Sequence, residues 1–144
     1  MSKERAKEAI VRLVEALSQQ DATAVAALYS EDARYYAPGQ SEPLRGREQI
    51  RSDYADFFRA FPDLASELLT VIGAGDEACG EFLTRGTHTG PLASRVGQIA
   101  PTGRTFTHKG ACFVKVDAKG LIVEDRTYYD TVEFARQLGL GSVG

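Results

Sequence analysis

The chain has 144 residues, with 17 lysines and arginines against 20 aspartates and glutamates, for a net charge of −3. Hydrophobic residues at 43% and charged residues at 26% fit one globular domain over residues 1–144 that buries about 70% of its unfolded surface. That balance excludes a polybasic binder of nucleic acid or membrane surfaces, and no apolar run approaches the roughly 20 residues needed to cross a bilayer.

Residues Met1 to Glu8 lack the apolar core of a signal peptide, so the cytoplasm is the expected location. Ala6, Ala9, Ile10, Leu13, Val14 and Leu17 recur at helical spacing and predict an amphipathic helix from Lys3 to Gln19. Asp21 offers an N-cap for a second helix that carries Val25, Leu28 and Tyr29 and ends near Ser30. A short strand follows from Asp32 to Tyr36, closed by Pro38 and Gly39. A third helix is predicted from Arg47 to Phe61, stopped by Pro62. Its aromatic face of Tyr54, Phe57, Phe58 and Phe61 suits either a packed core or the wall of a cavity.

The rest of the chain reads as strands: Leu64 to Ile72, Glu77 to His88, Arg104 to Val116 and Leu121 to Tyr129. Gly73–Asp76 and Asp117–Gly120 supply turns, and a long loop runs from Thr89 to Gly103. Asp130 or Thr131 then caps a tail helix ending at Gly139. Helices first and long strands afterwards predict an α+β fold, with the helices on one face of a curved antiparallel sheet. Cys79 and Cys112 read as buried free thiols, since a disulfide requires their two strands to lie side by side. Two cysteines and two histidines at wide separations give no metal-ligand spacing.

The strand-to-helix joint at Tyr128, Tyr129 and Asp130 gathers aromatic and acidic groups, and it is read as the rim of a small-molecule pocket. Alternation sets Asp125, Thr127 and Tyr129 on one strand face, with Arg126, Tyr128 and Asp130 on the other. Asp130 suits a helix cap or a general base raised by an apolar cavity. Asp125 suits a surface ion pair or the same catalytic role. His88 and His108 are each a structural histidine or an acid/base group, and His108 is the stronger candidate. Tyr35, Tyr36, Tyr54 and Tyr128 could donate hydroxyls to a carbonyl or enolate oxygen. No nucleophile elbow, phosphate-cradling loop or dinucleotide fingerprint is present.

Several stretches together carry a family likeness. They are Leu44-Arg-Gly-Arg-Glu-Gln-Ile-Arg, then Phe57-Phe-Arg-Ala-Phe-Pro-Asp-Leu and Arg85-Gly-Thr-His-Thr-Gly. Pro101-Thr-Gly-Arg, Ile122-Val-Glu-Asp, Tyr129-Asp and Arg136-Gln-Leu-Gly complete the set in order along nearly the whole chain. By these the chain resembles the SnoaL-like polyketide cyclases and ester-cyclase-like proteins of the nuclear transport factor 2 superfamily.

The resemblance implies a cone-shaped fold around a mostly apolar cavity, a homodimer formed through the outer sheet face, and aldol ring closure without metal or cofactor. In that family a carboxylate on the last strand acts with a histidine on the strand before. Here Thr127 stands at the expected carboxylate position, and Cys112 or Phe113 at the histidine position. The expected function is therefore cofactor-independent acid/base chemistry next to a carbonyl, with an apolar small molecule bound by Tyr35, Tyr36, Tyr54, Phe57, Phe58, Phe61, Thr127, Tyr128 and Tyr129. Asp130, His108, Asp125 and His88 are the candidate catalytic groups. The alternatives are a binding protein for an apolar ligand, or an epoxide hydrolase using Asp125, Arg126 and Asp130.

Overall fold

The computed structural model describes residues 4–94 and 97–141. Helix α1 (Arg5–Gln19) buries Ala6, Ala9, Ile10, Leu13 and Val14 along one stripe, as the periodicity requires. Asp21 caps α2 (Ala22–Ala26), its side chain accepting the Ala24 N–H at 3.1 Å. This helix is shorter than predicted, because by Tyr29 the chain has already entered strand β1 (Tyr29–Tyr36). Tertiary bonds claim the junction: Ile122 N–H donates to Leu28 O at 2.8 Å. The Arg47 guanidinium donates twice to Tyr29 O, at 2.7 and 3.0 Å. A two-residue strand, β2 (Leu44–Arg45), leads into α3 (Arg47–Ala60).

Strands β3 (Ala65–Ala74) and β4 (Glu77–Thr87) follow the predicted meander. The long loop after β4 is not wholly irregular, for β5 (Leu92–Ser94) and β6 (Gly97–Ile99) pair within it. The chain closes with β7 (Thr105–Val116), β8 (Ile122–Tyr129) and α4 (Thr131–Gln137).

The main sheet runs β2-β1-β8-β7-β4-β3. The fold is α+β, as expected, but the sheet is mixed: β1 lies parallel to β8 while its other pairings are antiparallel. A parallel neighbour requires a long crossover, which in this chain is everything between the first strand and the last. Register shifts in β1/β8, β3/β4 and β7/β8 bend the sheet into a trough. Across β4 and β7, Gly80 faces Cys112 and Cys79 faces Phe113, which sends the two thiols to opposite sheet faces. Both are free, although their strands are neighbours.

Two docking contacts set the shape of the trough. Helix α1 lies across β3 and β4, so close that a Cβ at Gly80 would stand 2.8 Å from Ile10 Cγ2. At the other end Phe61, Phe106 and Phe134 form a ring cluster with centroids 4.9 to 5.8 Å apart, seating α4. Gln137 fastens that helix to β7: its side-chain oxygen accepts from Thr107 N–H at 2.7 Å and its amide donates to Thr107 O at 3.0 Å. Among the described residues no helix is long and apolar enough to cross a membrane.

Gly90 docks the loop after β4 onto the end of α3, its N–H donating to Ala60 O at 3.1 Å. A Cβ there would lie 1.9 Å from the Arg59 carbonyl oxygen, a backbone atom that cannot step aside. Gly90→Ala is therefore expected to lower unfolding free energy by about 2 kcal/mol or more, measured by urea denaturation. An unchanged midpoint would contradict this close approach.

Candidate active-site cavity

Sheet and helices enclose a cavity of about 720 Å³. Its floor is the concave sheet face, where Tyr35, Phe82, Thr84, His108, Thr127 and Tyr129 point inward. Leu13, Val14 and Leu17 of α1 form one wall, and Asp53, Tyr54 and Phe57 of α3 the other. Phe134 and Ala135 of α4 close one side, and the β5–β6 hairpin contributes Leu92 and Ile99. The lining is mostly apolar with a few polar groups converging, the usual make-up of a small-molecule site.

Beside the floor, on the same sheet face, lies a buried acid. Asp125 has no exposed surface, and its two oxygens accept from Tyr29 Oη–H at 2.6 Å and Thr127 Oγ1–H at 2.8 Å. Tyr29 Oη is 3.3 Å from Tyr54 Oη, and the Tyr54 ring stacks on Tyr35 at 5.6 Å between centroids. Burial pushes the Asp125 carboxyl up to about 6, against the downward pull of its two hydrogen bonds. Asp125 is thus on the inward face, as alternation requires, yet covered by its neighbours and outside the cavity lining. It makes no surface ion pair, because Arg126 points outward to Glu124 at 2.6 Å.

His108 does reach the cavity. Its ring is sandwiched between Tyr129 at 4.0 Å and Phe106 at 5.0 Å, both nearly parallel to it. Nδ1 is buried with no hydrogen-bond partner among the described residues. Burial lowers the ring to about 4, which leaves a neutral imidazole at neutral pH. His88 is placed elsewhere, fully buried against Phe61, where its Nδ1 accepts the Thr102 N–H at 3.2 Å. Its position is that of a loop pin, outside the cavity lining.

Asp130 is exposed, and its side chain accepts the Glu133 N–H at 2.9 Å as the N-cap of α4. The tail-helix cap is therefore what this residue does, and it does not line the cavity. Asp125, Arg126 and Asp130 do not converge, so the residue set of an epoxide hydrolase is not assembled. Of the expected binding residues, Tyr35, Tyr54, Phe57, Thr127 and Tyr129 line the cavity. Phe58 and Phe61 are instead core residues, turned from the cavity by the helical rotation that brings Tyr54 and Phe57 to it. Tyr36 and Tyr128 sit at strand positions whose neighbours, Tyr35 and Tyr129, face inward, so alternation turns them outward. Tyr128 meets Phe113 there, ring centroids 6.1 Å apart.

One acidic group was not singled out from the sequence. Asp53 lines the cavity from α3, makes no hydrogen bond or ion pair among the described residues, and is pushed up to about 6 by burial and by nearby Asp56. A signal was available: Asp53 occupies the i+3 place in the apolar stripe Ile50, Tyr54, Phe57, where a polar residue is out of pattern.

The sequence profile of SnoaL-like polyketide cyclases matches residues 7–138. The chain belongs to this family. Its fold matches that of a candidate SnoaL-like polyketide cyclase from Jannaschia sp. CCS1, with a TM-score of 0.83, 18% identity and coverage of 97% of this chain and 95% of the other. IdmH, a candidate polyketide cyclase of Streptomyces antibioticus, is 28% identical, with a TM-score of 0.75 over 94% of this chain and 99% of its own. A protein of ketosteroid isomerase-like fold from Catenulispora acidiphila DSM 44928, solved with trimethylamine, is 20% identical, with a TM-score of 0.76 over 92% and 93% of the two chains. No curated protein sequence matches this one.

Strand register decides which of Cys112 and Phe113 stands opposite Thr127 on the cavity side. Cys112 pairs with Thr127 and lines the cavity, whereas Phe113 pairs with outward-facing Arg126, whose guanidinium lies 5.4 Å from its ring centre. Burial pushes the Cys112 thiol up to about 12, so it stays protonated.

The Asp125 carboxyl binds its proton more tightly folded than unfolded. Its contribution to stability is present at acid pH and is lost as pH rises through about 6. Tyr29→Phe removes a donor to the ionised form. It is expected to cost about 2 kcal/mol near pH 8 and distinctly less near pH 5, read from urea melts at both. Equal losses at the two pH values would show that Asp125 is not ionised when held by Tyr29.

Proposed function

We propose that this SnoaL-like protein is a cofactor-independent enzyme that transfers protons next to a carbonyl of an apolar ketone, as a cyclase or isomerase. The observation that carries the reading is a mostly apolar cavity holding a neutral histidine beside ionisable and hydroxyl groups. In a site of low polarity, a donor aimed at a developing enolate oxygen stabilises it far more than it would in water. His108, neutral and clamped between rings, serves as such a donor when its proton sits on Nε2. The Tyr35 and Thr127 hydroxyls on the floor and the Tyr54 hydroxyl on the α3 wall supply further polar handles. Asp125 is a positioning residue here: enclosed by Tyr29 and Thr127, it orients hydroxyls without touching substrate.

The protein is proposed to work as a homodimer through the outer sheet face. Support comes from the apolar side chains left exposed there, with Ile72 at 68%, Tyr128 at 55% and Phe113 at 39%. Sedimentation equilibrium is expected to give twice the chain mass, and Ile72→Lys to shift it toward one; a monomeric wild type would end the dimer reading.

Catalysis is checked with the bicyclic ketone 2-tetralone in deuterium oxide. The protein is expected to raise the melting temperature with this ligand and to speed deuterium entry beside its carbonyl, followed by NMR. A raised melting temperature without faster exchange would favour a binding protein over an enzyme.

A further inference from the structure

We infer that Asp53, on the cavity face of α3, is the catalytic base that takes the proton from substrate carbon, so that this site draws its base from a helix rather than from the last strand. The inference rests on the proton-transfer reading above and names the residue that performs it.

Position comes first. Asp53 shares its helix face with Tyr54 and Phe57, and all three line the cavity. Its charge is felt by Tyr35 of β1 and by Tyr129 of β8, so it looks across the space between the helix and the inner strands. It has no structural task that would explain it. It stands mid-helix and caps nothing, and no cation answers it among the described residues. Arg136, the arginine of the cavity lining among the described residues, is bonded to Glu133 at 2.5 Å. Asp53 is half-buried, and a carboxylate left unpaired and partly desolvated against aromatic walls is a cost to folding of the kind that concentrates at working sites.

The other candidates are otherwise engaged. Asp130 is spent on the α4 cap, Asp125 is sealed beside the floor, and Cys112 keeps its proton. His108 is too weak a base at about 4, whereas Asp53 at about 6 is ionised at neutral pH and basic enough to accept a proton.

The step balances within the substrate. The Asp53 carboxylate takes a hydrogen from the carbon beside the carbonyl, and the C–H electron pair becomes the enolate, with its charge on oxygen. In an isomerase the acid returns that proton at another carbon. In a cyclase the enolate carbon bonds to a second carbonyl carbon of the same molecule, and the proton goes to the alkoxide formed there.

Nitrobenzisoxazole probes the base directly, for its ring opening needs only removal of one carbon-bound proton: the C–H pair completes a nitrile, the N–O bond breaks, and a coloured phenolate leaves. The protein is expected to accelerate this opening, Asp53→Asn to lose about a hundredfold, and Asp53→Glu to keep part of the rate. The variants are first shown to retain the melting-temperature rise with 2-tetralone, which establishes an intact cavity. Rate should climb through about pH 6. The titratable groups that feel Asp53 are Asp56, Tyr35 and Tyr129, while Tyr54, His108 and Arg136 line the same cavity and Arg136 is paired with Glu133. Since Asp125 also stands at about 6, the limb must persist in Asp125→Asn and vanish in Asp53→Asn.

A wild type no faster than Asp53→Asn, or a limb that follows Asp125, overturns the assignment. Deuterium exchange into 2-tetralone that survives Asp53→Asn overturns it too, while leaving the proton-transfer reading in place. Asp53-dependent ring opening without exchange supports the base and removes the carbonyl chemistry instead.

Discussion

A carboxylate buried at the centre of the domain holds the first strand, the third helix and the last strand in register. Asp125 takes a proton-sharing bond from Tyr29 on β1 and another from Thr127 on its own strand, and Tyr29 in turn lies within 3.3 Å of Tyr54 on α3. A charge so placed is destabilising unless donors surround it. The tyrosines therefore have to be where they are. That requirement fixes the parallel approach of β1 to β8, the rotation of α3 about its axis, and with it which side chains of α3 look into the cavity.

The cavity itself is a departure from efficient packing. Interiors normally fill to crystal density, and a void of this size forgoes many dispersion contacts. The structure keeps it open with stiff parts: rings stacked along the floor, a bent sheet, and helix α1 brought tight against Gly80 so that the remaining space gathers on one side. Two polar groups, the half-buried Asp53 and the buried His108, face that space; Asp53 makes no hydrogen bond and His108 Nδ1 has no partner among the described residues. Asp125, the acid of the core, is instead hydrogen-bonded through both oxygens. This contrast between two acids, more than any single motif, separates chemistry from architecture here.

Much of the fold was legible in the chain because it depends on local rules. The α1 stripe, the Asp21 cap, the Asp130 cap and the alternation along Asp125, Thr127 and Tyr129 are each set by neighbours a few residues away, and each stands where the spacing puts it. The end of α2 was misread because propensity there yields to two long-range bonds, one from Ile122 and one from Arg47. Phe58 and Phe61 were misassigned to the cavity for a related reason. A helical face of five aromatic and apolar residues is wider than the cavity, and only packing decides which part of it lines the opening.

By itself the sequence determined the α+β class, the order of elements and the family, since periodicity, caps and motif order survive without knowledge of contacts. Tertiary structure alone decided what each acid does. Asp53, Asp125 and Asp130 are the same side chain, and their carboxyls differ only in their surroundings: a half-buried cavity wall without a hydrogen-bond partner among the described residues, two hydroxyls, or a helix N-terminus. Hydration and hydrogen bonding there set whether a carboxylate is a base, a buried anchor or a cap, and in this chain the partners that matter come from up to 96 residues away.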